Sequence, residues 1–257
     1  YAYHLSEAAK LGRDITWDQY CKWNLPIRHV VEDILNEYEG DRECADFQNF
    51  TVYAKRLFFA NGIHHHYSED KFFPECPKEY FQSLMEAVGD GEQATELLEV
   101  IYSPDIYPQR RSTSKTGDIV ELSAVNFYDG VTREEVDKYY NSMMDPNDKT
   151  PISYGLNTKV VKEDGKVVEK PWKVGGIYGP ALEKICAELE KAAAVAETDL
   201  QKEAIGKLVE YYRTGDLKTW DDFNIDWVQD TVGTIDFING FIEDYDDPLG
   251  RKATWEG

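Results

Sequence analysis

A chain of 257 residues with 42% hydrophobic side chains can fill a sizeable core, as one large domain or two small ones, which excludes a disordered chain. Against 28 Lys and Arg stand 49 Asp and Glu, and this formal net charge of −21 would repel a phosphate backbone, so no nucleic-acid partner is expected. The acidity is dispersed and reads first as a solvated surface, part of which could attract a cation such as the amino terminus of a peptide.

The start, YAYHLSEAAKLGRD, already reads as helix interior, lacks an initiating methionine and shows no charged-then-apolar signal pattern, which suggests a chain cut from a longer one. Trp23, Ile27, Val30, Val31, Ile34, Leu35 and Tyr38 recur at helical spacing before Gly40 and predict an amphipathic helix. Phe47, Phe50, Val52, Tyr53, Leu57 and Phe58 predict another, ended by Asn61-Gly62, where the glycine can take the left-handed conformation of a C-cap. His64, His65 and His66 follow directly. Two shorter helices are expected over 77–88 and 92–102, then a polar loop, SPDIYPQRRSTSKTGD, closing a helical segment 1–105.

From Asp118 the period changes, and DIVELSAVNFYDG reads as a strand ending in Asp129-Gly130. Thr132 and Glu135 form a capping box before a short helix. Two Val-rich runs flank Asp164-Gly165, the dipeptide of a tight hairpin turn, and Pro171 in the second run predicts an edge strand or a bulge. The β-rich stretch is thus 116–178. Pro180 opens a long helix at the favoured first position, Thr198 with Gln201 caps a second arm over 199–212, and the aromatic-rich end keeps roughly helical spacing, giving a helical segment 180–247. Helices, then strands, then helices predict an α+β fold. No apolar run approaches the ~20 residues of a membrane span, so the expectation is a soluble protein, cytoplasmic or periplasmic, without a membrane partner.

Cys21, Cys44, Cys76 and Cys186 show no C-x-x-C spacing and read as buried free thiols. Adjacent histidines point in different directions, and no H-E-x-x-H occurs, so the run reads as a loop in which one ring packs, one bonds backbone and one sees solvent. Imidazoles in a cleft could still contact a substrate. There is no G-x-S-x-G, and KVGGIYGP lacks the Lys-Ser/Thr ending of a phosphate loop. On a helix Asp236, Asn239 and Glu243 recur at i, i+3 and i+7 on one face, which either grips an ammonium group by charge-assisted hydrogen bonds or is simply solvated.

Two longer stretches resemble the dipeptidyl peptidase III family: FANGIHHHYSEDKFFPECPKEYF, residues 59–81, and IDFINGFIEDYDDPLGRKATWEG, residues 235–257, the second close to the family's GFIE-x-Y-x-DP-x-G segment. Between them PISYGLNTKVVKEDGKVVEKPWKVGG and the helices after it resemble the bacterial, Bacteroides-type branch, so the resemblance covers essentially the whole chain. It implies a zinc metallopeptidase that releases dipeptides from peptide amino termini, built as two lobes around a wide cleft. One lobe would pack helices around a small antiparallel β-barrel or sheet, and the other would carry the zinc. The family's zinc helix, H-E-x-x-x-H or H-E-x-x-G-H, does not occur here. The resemblance therefore implies that 1–257 is the barrel-containing, substrate-binding lobe, inactive alone, with no catalytic residue and no metal of its own, while the intact enzyme holds zinc. Tyr67 falls where a family aromatic lines the amino-terminal side of the substrate, and Asp236 where a glutamate of the animal members binds the free amine. The oxyanion-assisting tyrosine of those members is Ile238 here, which leaves that role unassigned. His65, His66, Asn239 and Glu243 are the neighbouring substrate-binding candidates. The expected partners are short peptides with a free amino terminus and the missing zinc-binding lobe. The alternative is a stand-alone, non-catalytic peptide-binding protein.

Overall fold

Helical periodicity and the caps around it produce ten α-helices, in a computed structural model that describes all 257 residues. The chain divides into two units, Trp17–Asn126 and a second made of Tyr1–Thr16 with Phe127–Gly257. Helix α1 (Ala2–Leu11) belongs to the second, and the division falls within α2 (Arg13–Tyr20).

In the unit 17–126, α3 (Asn24–Glu37), α4 (Ala45–Ala60), α5 (Lys78–Ala87) and α6 (Ala94–Tyr102) turn their apolar stripes onto one another. Ile27, Val30, Val31 and Ile34 of α3 share a core with Phe47, Phe50, Tyr53 and Leu57 of α4, closed by Phe81, Leu84 and Met85 of α5 and Leu97, Leu98 and Ile101 of α6. Phe50 and Phe81 meet edge to face with centroids 5.1 Å apart, the arrangement their ring quadrupoles favour. At the end of α4 the left-handed residue is Asn61, at φ 55°, rather than the glycine. Gly62 is needed for another reason: it sits at φ 152°, and a Cβ there would overlap the buried Asn24 side chain. Asn24 donates to the Trp17 carbonyl at 3.0 Å and accepts from the Ile63 amide at 3.2 Å, tying the end of α4 to the start of α3.

The strand expected from Asp118 does not form over most of its length; only β1 (Tyr128–Asp129) remains. The Asp118 carboxylate takes the Val120 amide and the Ser123 hydroxyl donates to the Ile119 carbonyl, while the amides of Ala124 and Val125 bond the carbonyls of Gln109 and Arg110. Backbone groups satisfied in turns cannot also join a ladder, and the β-branched Val120 and Val125 are buried there without one.

In the other unit, Thr132 and Glu135 close the expected capping box on α7 (Arg133–Asn141). The hairpin of β2 (Thr158–Glu163) and β3 (Lys166–Pro171) turns at Asp164 and Gly165, both at positive φ as a two-residue hairpin turn requires. The order β1-β2-β3 makes β3 an edge, where Pro171 interrupts nothing. β1 runs parallel to β2 and the sheet stays open, with a separate pair β4 (Gly240–Glu243) and β5 (Thr254–Glu256); a closed barrel is not seen, because a two-residue β1 offers too little ladder to close on. Helices α8 (Gly179–Ala194) and α9 (Asp199–Thr214) form the expected pair, with the Thr198 hydroxyl accepting from the Gln201 amide, and α1 packs on α8. Helix α10 (Leu217–Gln229) follows Asp216, whose carboxylate caps it, and the chain leaves the helical conformation after Gln229. The fold is α+β.

Candidate functional site

The histidine loop is a turn pinned from several sides. The His65 amide bonds the Asp70 carbonyl, the Glu69 amide bonds the His65 carbonyl, and the Lys71 amide bonds the Pro108 carbonyl. The Glu69 carboxylate lies 3.1 Å from Nε of Arg111 and 3.6 Å from the Arg110 guanidinium. His64 is 2% exposed, and its Nε2 lies 2.8 Å from the Tyr107 carbonyl. A carbonyl only accepts, so the proton sits on Nε2 and Nδ1 is the bare nitrogen, buried without a partner. Burial lowers the His64 pKa to about 4, with Arg110 and Lys71 adding to the effect of desolvation and the Tyr107 bond opposing it. His65 is exposed, and its Nδ1 accepts from the amides of Tyr67 at 3.3 Å and Ser68 at 3.2 Å, so this ring shapes the turn. His66 is exposed between Phe59 and Tyr67, with ring centroids 5.8 and 4.9 Å away. Tyr67 and Phe59 are themselves 78% and 71% exposed, which leaves an aromatic row facing solvent. Beside it lies a cavity of about 490 Å³ between His65, His66 and the Val52, Lys55, Arg56 and Phe59 face of α4.

Asp236, Asn239 and Glu243 do not share a helix face. Asp236 and Asn239 lie in irregular chain and Glu243 ends β4. Gly240 explains part of this, since a Cβ there would overlap the Trp220 indole, and Phe241 pairs with Trp255 of β5. Three bonds fasten the segment: the Thr234 amide to the Glu197 carboxylate at 2.6 Å, the Trp227 indole to the Phe237 carbonyl at 2.8 Å, and the Tyr212 hydroxyl to Asn239 Oδ1 at 2.5 Å. The Trp255 indole in turn donates to the Tyr212 oxygen at 3.2 Å. Asn239 is buried, whereas Asp236 stands exposed between the Thr234 and Phe237 anchors and uses one oxygen to accept the Phe237 amide. Glu243 is half-buried, near Glu256, whose pKa is raised by burial first and by Glu243 and Asp246 next. Downstream, the buried Asp247 accepts from the Tyr128 hydroxyl and from the amides of Leu249, Arg251 and Lys252, which folds Asp247-Pro248-Leu249-Gly250 into a closed turn.

Tyr67, His65 and His66 therefore belong to the unit 17–126, and Asp236, Asn239 and Glu243 to the other. The supports of the second group carry no local signal beyond being aromatic residues on helices, Tyr212 at a core position and Trp227 half-buried. The zinc implied by the sequence resemblance finds no fit here. No group of three or more His, Cys, Asp or Glu side chains stands in a metal-holding arrangement, so the bare Nδ1 of the buried His64 has no set of ligands around it, and Nδ1 of His65 is spent on two amides.

Residues 124–257, just over half of the chain, match the model of Peptidase family M49. Among curated proteins, the chain is 25% identical over 299 aligned residues to dipeptidyl peptidase 3 of Homo sapiens and 24% identical over 286 to that of Dictyostelium discoideum, in each case over all of this chain and 40% of the relative. Among solved structures, DPP III from Caldithrix abyssi superposes with a TM-score of 0.63 at 20% identity, over 99% of this chain and 37% of that one. Dipeptidyl-peptidase III from Corallococcus sp. strain EGB gives 0.57 at 17% identity, over 98% and 36%. The chain spans about 40% of the length of the curated relatives it matches.

Proposed function

Because the chain belongs to Peptidase family M49, we propose that it is the substrate-binding part of a zinc-dependent dipeptidyl peptidase, a hydrolase that removes dipeptides from peptide amino termini, with the zinc and its ligands in the remainder of such an enzyme. The observation that carries this reading is the family match itself, which contains the fastened segment 234–247. In this reading the exposed Asp236 carboxylate receives the ammonium of the peptide, a contact strengthened by its charge. Asn239, buried with its oxygen held by Tyr212, fixes the path of the segment that presents Asp236 to the substrate, and Glu243 adds negative charge along the same segment. An extended peptide could add to the edge of the β4–β5 pair, which would fix how far its amino terminus reaches and hence the dipeptide length. Tyr67, His65 and His66 provide an aromatic surface for peptide side chains. On its own, the chain turns over no peptide.

Asp236→Ala in the intact enzyme removes the proposed ammonium partner. We expect kcat/KM on a dipeptidyl substrate to fall by about 1–3 kcal/mol in transition-state stabilisation, the scale of a lost charged hydrogen bond. Steady-state kinetics identical to wild type would sink the assignment.

A further inference from the structure

Lys252 is fully buried, and its ammonium has three acceptors: the Tyr140 hydroxyl at 2.9 Å, the Gly155 carbonyl at 3.0 Å and Thr158 Oγ1 at 3.1 Å. Burial lowers the Lys252 pKa to about 7, with Asp247 and Glu169 opposing the effect; in its charged form the group only donates, so both hydroxyls accept from it and are left to donate onward. Both donate to the same atom, Glu169 Oε1, at 2.6 Å from Tyr140 and 2.8 Å from Thr158. The hairpin register makes this possible: Glu169 faces Val160, two residues from Thr158 on the same face of the sheet. The fit around Tyr140 is tight, since Gly155 sits at φ 90° and a Cβ on it would come within 2.5 Å of the Tyr140 oxygen. Glu169 is thus fixed by one oxygen, and its Oε2 has no protein donor.

Glu169 lines a cavity of about 650 Å³. Tyr139, Tyr154, Ile152 and Val168 give it aromatic and aliphatic walls, Asp216 adds a second carboxylate, and no Lys or Arg lines it. Asp216 is held in its charged form by the hydroxyl and amide of Thr219, which lower its pKa. An oriented carboxylate with a vacant oxygen, a second negative group and aromatic faces suits a cation on an apolar stem: the head would bond Glu169 while the stem lies along the rings.

We propose that this cavity binds a primary ammonium group carried on a short alkyl chain, whether of a lysine side chain or of a free alkylamine. The proposal rests on this network and does not depend on the peptidase reading. None of the six candidate substrate residues lines the cavity.

The test is calorimetric titration of the 257-residue chain with three probes: Nα-acetyl-lysine amide, cadaverine, and the uncharged Nα-acetyl-norleucine amide. At least one amine should bind about tenfold or more tightly than the norleucine compound, as expected when a charged hydrogen bond decides affinity. Lysine amide alone points to a peptide side chain, and cadaverine alone to a free amine; either supports the site. Glu169→Gln keeps an acceptor for Tyr140 and Thr158 and should abolish the preference. Asp216→Asn, which retains the helix cap, should weaken amine binding several-fold and decides the matter should Glu169→Gln fail to fold. No saturable binding of either amine by the wild-type chain, binding of the norleucine compound as tight as the amines, or full affinity in Asp216→Asn together with either full affinity or failure to fold in Glu169→Gln, would overturn the proposal.

Discussion

His64 carries a pH dependence of stability whose sign follows from its surroundings. Its pKa falls from an ordinary value of 6.5 to about 4 in the folded chain, so between those values the unfolded chain binds more protons. The associated stability is fully present above pH 6.5 and is lost as pH falls toward 4, by up to about 3 kcal/mol. Denaturant unfolding at pH 7 and pH 4.5 should show this loss, and His64→Gln, which keeps a donor for the Tyr107 carbonyl, should reduce it. An unchanged difference between the two pH values in the variant would show that the acid sensitivity lies elsewhere. That three adjacent rings meet different environments was legible in the sequence, because neighbouring side chains diverge. Which ring is buried was not, since Tyr107 stands 43 residues away. Lys252 was still less legible: its acceptors lie 94 to 112 residues distant, and nothing in ATWEG announces a buried ammonium.

At the scale of elements, local chemistry was read well and tertiary choice was not. The capping box at Thr132, the Asp164-Gly165 turn and the cap at Thr198 depend on neighbours within a few residues, and all three form. The spacing of Asp236, Asn239 and Glu243 suggested a helix because the sequence carries apolar residues at compatible intervals. Trp220 decides otherwise, packing where only a glycine fits and leaving Gly240–Glu243 to pair with Thr254–Glu256. Gly240→Ala forces the indole or the strand to move, at a cost of about 1–3 kcal/mol by the usual penalty for overpacking. Thermal unfolding should show a lowered Tm. A variant as stable as the parent would mean the Trp220 contact is loose and does not set the path of the segment. In 118–127, β-branched residues are buried in turns, a use that composition cannot distinguish from a strand.

For the molecule as a whole, the sequence of helices, strands and helices pointed to α+β, and the two long motif-bearing stretches pointed to the dipeptidyl peptidase III family, in agreement with the Peptidase family M49 match over 124–257 and with the relatives named dipeptidyl peptidase 3. The β-barrel was the exception, because closure depends on strand length and pairing across the sheet, and neither is visible in hydrophobic alternation. The net charge of −21 fits a ligand that enters with a positive end. The central claim is recognition of a free peptide amine at Asp236, and the most direct measurement is calorimetry of the intact protein with a short peptide and its amino-acetylated twin. The account predicts about tenfold or more tighter binding of the free-amine peptide, with Asp236→Asn erasing the difference. Equal affinity for the two peptides would contradict it.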